Sequence, residues 1–135
     1  MTDSSAPEAL LRAVPFADEL GIALEEAAPA RVRAAPAWAP ELCTAGGVLH
    51  GDALMTLADT AGAVCAFLNL PPGASTSTIE SKTNFFRAVR SGTVHAEARP
   101  VHVGRSSIAV RTDLHDEDGP LVGQTTKTQA VLTTG

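Results

Sequence analysis

Hydrophobic positions between residues 51 and 69 recur every three or four residues, which is the spacing of one buried face of an α-helix. The repeating positions are Leu54, Leu57, Ala58, Ala61, Val64, Cys65 and Leu68. Alanine and glycine occupy much of the remaining circumference, so a sheet can pack closely around this helix. Pro71, Pro72 and Gly73 end the pattern. The sequence therefore predicts one long, buried helix in the middle of the chain.

After Gly73 the hydrophobic period changes to two, which is typical of β-strands. The predicted strands cover residues 79–86, 94–103, 108–114 and 121–132, with turns at Gly92, Gly104 and residues 117–119. In the second of these strands the apolar side chains change parity at Pro100, which predicts a β-bulge there. Residues 20–35 also alternate, and Pro29 divides them into an edge strand or two short strands.

This order of elements is a strand region, one long helix and then four strands joined by tight turns. It predicts an α+β fold with an antiparallel sheet. A length of 135 residues without a linker indicates a single domain over residues 1–135. The polar residues 1–6 are expected to be disordered, and a short helix is expected from Pro7. An open sheet leaves its edge strands unpaired, so self-association is expected.

Charge and composition exclude several classes of partner. The net charge is −5 and aromatic residues make up 4% of the chain, so nucleic acid is not an expected ligand. Residues 53–70 are long enough to cross a membrane, but Asp59 near their centre favours a buried helix in a soluble protein. Cys43 and Cys65 are expected to be thiols, and the acidic N-terminus lacks a secretory pattern, so the cytoplasm is the expected location.

Residues 49–60 read LHGDALMTLADT. This segment resembles the His-Gly-Gly…Leu-Ala-Asp signature of hotdog-fold acyl-CoA thioesterases of the phenylacetate-degradation (PaaI-like) type. Residues 78–87, 101–105 and 118–122 resemble later segments of the same family in the same order. The resemblance implies a hotdog fold, in which an antiparallel sheet wraps around a long central helix. It also implies hydrolysis of an acyl-CoA thioester to the free acid and CoA.

The chemistry of thioester hydrolysis assigns roles to the residues of this segment. A helix N-terminus presents unpaired N–H groups and partial positive charge, which suit a developing oxyanion, and Gly51 allows close approach of the backbone. Asp59 is the expected general base or nucleophile, because a carboxylate in an apolar helix is costly unless it is paired or functional. His50 is expected to position Gly51 rather than to act as the base. Asp52 is expected to be structural, with its side chain capping the helix.

Residues outside this segment are candidates for binding the substrate. Arg87 and Arg105 are expected to bind CoA phosphates, because guanidinium groups suit phosphate. The resemblance implies that Gly104 and Ser106 add N–H donors and that Thr44 and Thr78 lie near the reacting group. No metal site is expected. No cofactor is expected, since CoA is part of the substrate.

The resemblance also implies a homodimer or a homotetramer built as a dimer of dimers, with the site between subunits. Three positions depart from the family pattern. Asp52 replaces the second glycine, Thr44 stands where many members have Asn or Gln, and Ala63 lacks a hydroxyl. These departures leave a non-catalytic acyl-CoA-binding protein as the alternative. A hotdog dehydratase or hydratase ranks third, because its usual Asp and His spacing is absent from the sequence.

Overall fold

A computed structural model describes residues 15–35, 42–117 and 119–133 of the chain. The expected disorder of residues 1–6 and most of the helix expected from Pro7 lie outside these ranges, as does Asp118 in the last turn. The elements are α1 (Pro15–Glu19), β1 (Ala23–Ala28), β2 (Arg31–Ala35), α2 (Gly51–Leu68), β3 (Ser75–Phe85), β4 (His95–Val103), β5 (Ser107–His115) and β6 (Leu121–Leu132).

All six strands form one antiparallel sheet in the order β1-β2-β4-β5-β6-β3. The two short strands on either side of Pro29 are the β1–β2 hairpin, which confirms the break predicted there. Helix α2 packs against β2, β4, β5 and β6. The α+β class, the central helix and the antiparallel sheet are therefore confirmed.

The core lies between α2 and the sheet. Helix α2 contributes Leu54, Leu57, Ala58, Ala61, Val64, Cys65 and Ala66, and the strands contribute mainly Val32, Ala34, Ala96, Ala98, Ile108, Val110 and Leu114. Small residues on both sides let the helix approach the sheet closely. By length and apolar composition α2 could cross a membrane, but half of it is buried inside this core.

The register of β4 against β5 shifts between Pro100 and His102, which confirms the predicted bulge. The extra residue, Val101, is exposed. Strand β3 differs from the prediction. It begins at Ser75 rather than Ile79, because Ser75–Thr78 extend the ladder to β6 although they carry no hydrophobic alternation.

Strand β3 is an edge of the sheet, since it pairs only with β6. Its residues are exposed except for Thr76 and Thr83, which are half-buried. Its register against β6 shifts between Thr78 and Glu80, which places a bulge at Ile79. An exposed edge of eleven residues offers a row of unpaired backbone groups to another strand.

Candidate active site

The N-terminus of α2 is capped by His50. Its Nδ1 accepts a hydrogen bond of 3.1 Å from the Asp52 N–H, and its carbonyl oxygen accepts from Ala53 and Leu54. The role expected of His50 in positioning Gly51 stays a prediction, since its ring bonds the N–H of Asp52. The ring satisfies one of the N–H groups that every helix leaves unpaired at its start.

Asp52 does not cap the helix as predicted. Its side chain is 85% exposed, and its Oδ2 lies 3.6 Å from Nδ1 of His50. Because the imidazole already accepts the hydrogen bond from the Asp52 N–H, that position has no need of a carboxylate cap. Asp52 contributes negative charge to the first turn, where the helix dipole favours it.

Among the described residues, none accepts a hydrogen bond from the Gly51 N–H. The ring of Phe85 packs against Gly51, and a Cβ placed there would lie 3.3 Å from the Phe85 ring. Gly51 therefore combines a close backbone approach with an available donor at the positive end of the helix dipole. Both properties suit an oxyanion.

Two cavities flank this helix start. One, of about 330 Å³, is lined by Gly51, Leu54, Arg87 and the rings of Phe85 and Phe86, among others. The other, of about 200 Å³, is lined by Phe16, Leu20, Leu42, Cys43, His50, Asp52, Ala53 and Thr56. The structure thus brings Gly51 and Arg87, predicted separately from the sequence, to one cavity.

Asp59 lies on the exposed side of α2, and its side chain is 54% exposed. The carboxylate lies in an apolar helix, as the sequence indicates, but its side chain is not buried. The buried member of the pair is Lys127 on β6, whose side chain is 1% exposed and whose Nζ lies 2.6 Å from Asp59 Oδ1. This ion pair joins the residue predicted as general base or nucleophile to the buried face of β6.

Sequence reasoning missed Lys127. The signal in the sequence was the alternation along β6. Lys127 lies on the same strand face as Thr125, Gln129 and Val131, which are all buried. A run of polar residues on a buried face predicts hydrogen-bonded partners across the core. The partner itself could not be read from the sequence, since Asp59 lies 68 residues away on another element.

Gly51 and Asp59 do not meet within one chain. They lie eight residues apart on the same helix, which corresponds to about 12 Å along the axis and about 80° around it. A single carbonyl group must lie within about 3 Å of both its N–H donor and the attacking oxygen. One copy of the chain therefore supplies only half of the expected site to any one substrate.

The threonines predicted near the reacting group are engaged in internal hydrogen bonds. Thr78 Oγ1 donates to Gln129 Oε1 at 2.5 Å, beside the bulge of β3. Thr44 Oγ1 donates to the carbonyl oxygen of Val48 at 3.2 Å, and Thr44 lines neither of the two cavities. Their expected contacts with substrate stay predictions.

Gly104, Arg105 and Ser106 form the turn between β4 and β5. The Gly104 N–H donates to the Ser107 carbonyl at 2.8 Å, and a Cβ at Gly104 would lie 3.0 Å from that oxygen, so the tight turn requires glycine. The Ser106 carbonyl accepts from Val131, which pairs with the beginning of β3. This turn and Arg87 thus lie at opposite ends of β3, roughly 35 Å apart for eleven residues of strand.

Among the described residues, Cys65 and the possible metal ligands are further groups with reactive chemistry. Burial raises the pKa of the Cys65 thiol to about 11, so the thiol is protonated at neutral pH and is a poor nucleophile. Within residues 15–35, 42–117 and 119–133, no three His, Cys, Asp or Glu side chains are grouped to hold a metal ion.

An antiparallel sheet wrapped around a central helix, with a glycine at the helix start and a carboxylate two turns on, defines a hotdog thioesterase. The sequence profile of the thioesterase superfamily matches residues 46–123, and the chain belongs to this family. It is a thioester hydrolase of the PaaI-like type predicted from residues 49–60.

Solved structures and sequence relatives agree with this assignment. Thioesterase HI1161 of Haemophilus influenzae superimposes with a TM-score of 0.89 at 26% identity, over 98% of this chain and 93% of that one. A variant of the phenylacetic acid degradation protein PaaI of Thermus thermophilus gives a TM-score of 0.79 at 27% identity, over 89% and 99%. The Mycobacterium tuberculosis protein Rv1847, which carries a provisional esterase designation, is 35% identical over 106 residues, or 76% of this chain and 74% of its own.

Proposed function

We propose that the thioester substrate is an acyl-CoA and that each active site is built from two copies of the chain. The observation that carries the proposal is the separation of Gly51 and Asp59 on α2, about 12 Å along one helix. A two-fold assembly places the Gly51 N–H of one copy beside the Asp59 carboxylate of another. The exposed edge strand β3 is the surface that such an assembly would pair.

The reaction at this site follows from the two groups. The thioester carbonyl oxygen accepts a hydrogen bond from the Gly51 N–H, which stabilises the negative charge that develops on that oxygen. The Asp59 carboxylate removes a proton from water as the water adds to the carbonyl carbon, or it adds to that carbon itself and water hydrolyses the resulting anhydride. In the first route the carbon–sulfur bond breaks as the tetrahedral adduct with water collapses, and in the second it breaks as the anhydride forms, before water hydrolyses that anhydride. In both routes the CoA thiolate leaves and takes up a proton. No cofactor other than the CoA of the substrate enters these steps.

The assembly also accounts for the positions of the two predicted phosphate-binding arginines. If two β3 strands pair antiparallel, the end of β3 in one copy lies beside its beginning in the other. Arg87 of one copy then approaches the turn that carries Arg105 of the other. Within the described residues, neither guanidinium has a carboxylate within 4 Å, so both are available to phosphates.

A complementation experiment tests the shared site. Gly51→Pro removes the N–H donor at a helix position that accepts proline, and Gly51→Ala is its matched control, because it adds the same Cβ against Phe85 but keeps the N–H. Asp59→Asn removes the carboxylate. Gly51→Pro and Asp59→Asn are expected to be inactive alone, while Gly51→Ala should lose less thiol release from an acyl-CoA than Gly51→Pro, because it keeps the N–H donor.

When the two inactive variants are unfolded together and refolded, half of the dimers are mixed and each mixed dimer contains one intact site. Thiol release should therefore recover to about a quarter of the parent rate. Failure of the mixture to recover while both variants fold would overturn the shared site. A parent protein that releases no thiol from short, medium, long or aryl acyl-CoAs would overturn CoA as the carrier.

A further inference from the structure

A buried cation beneath Asp59 is not used by the reaction described above. Lys127 lies in the middle of β6, opposite Val110 of β5 and Ser81 of β3. Its Nζ donates to Asp59 Oδ1 at 2.6 Å and to the Asp59 carbonyl oxygen at 3.2 Å. The same ammonium therefore binds the side chain and the main chain of one residue, which fixes the side-chain torsions of Asp59.

The Lys127 side chain passes Gly62 on its way to Asp59, and the absence of a side chain at Gly62 leaves space for it. This residue is one turn beyond Asp59 on α2, and a Cβ there would lie 3.4 Å from Lys127 Cδ and 3.4 Å from Thr112 Oγ1. The lysine stem thus passes under the helix at a point where the helix has no side chain. Packing in this place is close, so the ammonium has little freedom to move.

The pair is asymmetric in its exposure. The lysine side chain is 1% exposed, and the aspartate side chain is 54% exposed. A purely structural ion pair at this position would be an expensive solution, because burying an ammonium costs several kcal/mol and an apolar side chain of similar volume packs at no such cost. Lys127 instead binds Oδ1 of Asp59 from the buried side of the helix. No described residue donates a hydrogen bond to Oδ2.

We infer that Lys127 is a positioning residue, which binds Oδ1 of Asp59 and thereby presents Oδ2 as the atom that attacks the thioester or activates water. This inference rests on the catalytic role proposed for Asp59. Lys127 itself touches neither substrate nor water in the reaction. Its contribution is the orientation of one carboxylate oxygen, and misplacement of a reacting group by 1 Å is sufficient to slow a reaction about 100-fold.

The test replaces Lys127 by Met, which fills a similar volume and cannot donate. We expect the kcat of Lys127→Met to fall 10- to 100-fold, on the scale of a misplaced reacting group, with an unchanged KM and with folding verified by its melting curve. In the Asp59→Asn background the same substitution should cause no further loss of kcat, because the group that it orients is already absent. Arg111→Met is the matched control, since Arg111 pairs with Asp113 two residues further along β5 and should keep the parental kcat.

The outcomes separate this inference from the function on which it rests. A Lys127→Met protein with parental kcat beside an inactive Asp59→Asn overturns the positioning role alone. A further loss of kcat in the double variant also overturns it, since Lys127 would then act independently of Asp59. An Asp59→Asn protein with parental kcat overturns both. If Lys127→Met does not fold, Lys127→Gln is measured instead, because its shorter amide cannot reach both acceptors, and parental kcat in that variant overturns the inference.

Discussion

At the scale of single residues, two neighbours at the start of α2 have different roles: His50 caps the helix, and Gly51 offers an N–H donor. His50 satisfies the Asp52 N–H with its ring, which leaves the Gly51 N–H as the donor for an oxyanion. Asp52, which stands where the family has a second glycine, has a carboxylate that is 85% exposed and lies 3.6 Å from Nδ1 of His50. The departure from the family signature is therefore compatible with an oxyanion site at Gly51.

The cap makes a prediction for stability. His50→Ala removes the acceptor of the Asp52 N–H and should lower the free energy of unfolding by about 1 kcal/mol, the usual value of a helix cap. Asp52→Gly should change it by no more than about 1 kcal/mol, because only an exposed charge near the helix dipole is lost. Urea denaturation of both variants measures these values. Equal stability of His50→Ala and the parent would show that the ring is not the cap.

The site residues that the sequence can propose are those whose relation to each other depends on near neighbours. Gly51, His50 and Asp59 belong to one segment of helix, so spacing alone places them. Lys127 depends on a contact between α2 and β6, and its lysine side chain reads as a solvated charge when only the strand is considered. The capping role of Asp52 was wrong for a related reason, since a histidine ring competes for the same N–H and propensity does not decide between them.

At the scale of elements, the packing of α2 on the sheet depends on small residues, and Gly62 is the position where this matters for activity. A Cβ there is in ordinary contact with Lys127 and Thr112, whereas a branched side chain would occupy the same space as the lysine stem. The small residues of α2 predicted from residues 51–69 are thus needed, at Gly62, to make room for the Lys127 side chain of β6.

Two substitutions at Gly62 should therefore differ in effect. Gly62→Ala is expected to be neutral or to stabilise the protein by up to about 1 kcal/mol, because alanine favours the helix. Gly62→Val should destabilise it by about 1–3 kcal/mol through overpacking, and it should reduce kcat by displacing Lys127. Urea denaturation and steady-state thiol release measure the pair. A Gly62→Val protein with parental kcat would show that the lysine route tolerates displacement.

At the scale of the whole molecule, the antiparallel sheet and the central helix were predictable, since alternation, turn residues and helical period agree over residues 51–132. The sheet order was not, because β3 pairs with β6 rather than with β4, the next strand along the chain. Whether the two ends of β3 come together in an assembly could not be predicted, because the sequence of one chain does not describe an interface. Arg87 and Arg105 look like one phosphate site in the sequence, but they lie at opposite ends of the sheet in a single copy.

This separation predicts how the substrate carrier is recognised. Arg105→Ala should raise KM for an acyl-CoA by about 10-fold, the value of one lost charge-assisted contact, and should leave kcat unchanged. KM for the same acyl group on N-acetylcysteamine, which has no phosphates, should not change. Arg99→Ala is the control, because Arg99 is paired with Glu97 and lies away from the turn. An equal rise of KM for both substrates would assign Arg105 to the fold rather than to phosphate.

The pairing of a buried Lys127 with Asp59 has a consequence for the evolution of this chain. Most substitutions of Asp59 would leave the buried Lys127 ammonium without its counter-charge, which lowers the stability of the fold even though Asp59 itself is half exposed. Descendants that drift away from catalysis would therefore lose stability at the same step. Selection for a folded protein alone would preserve the carboxylate, and loss of activity would more readily begin at Gly51, where no such penalty applies.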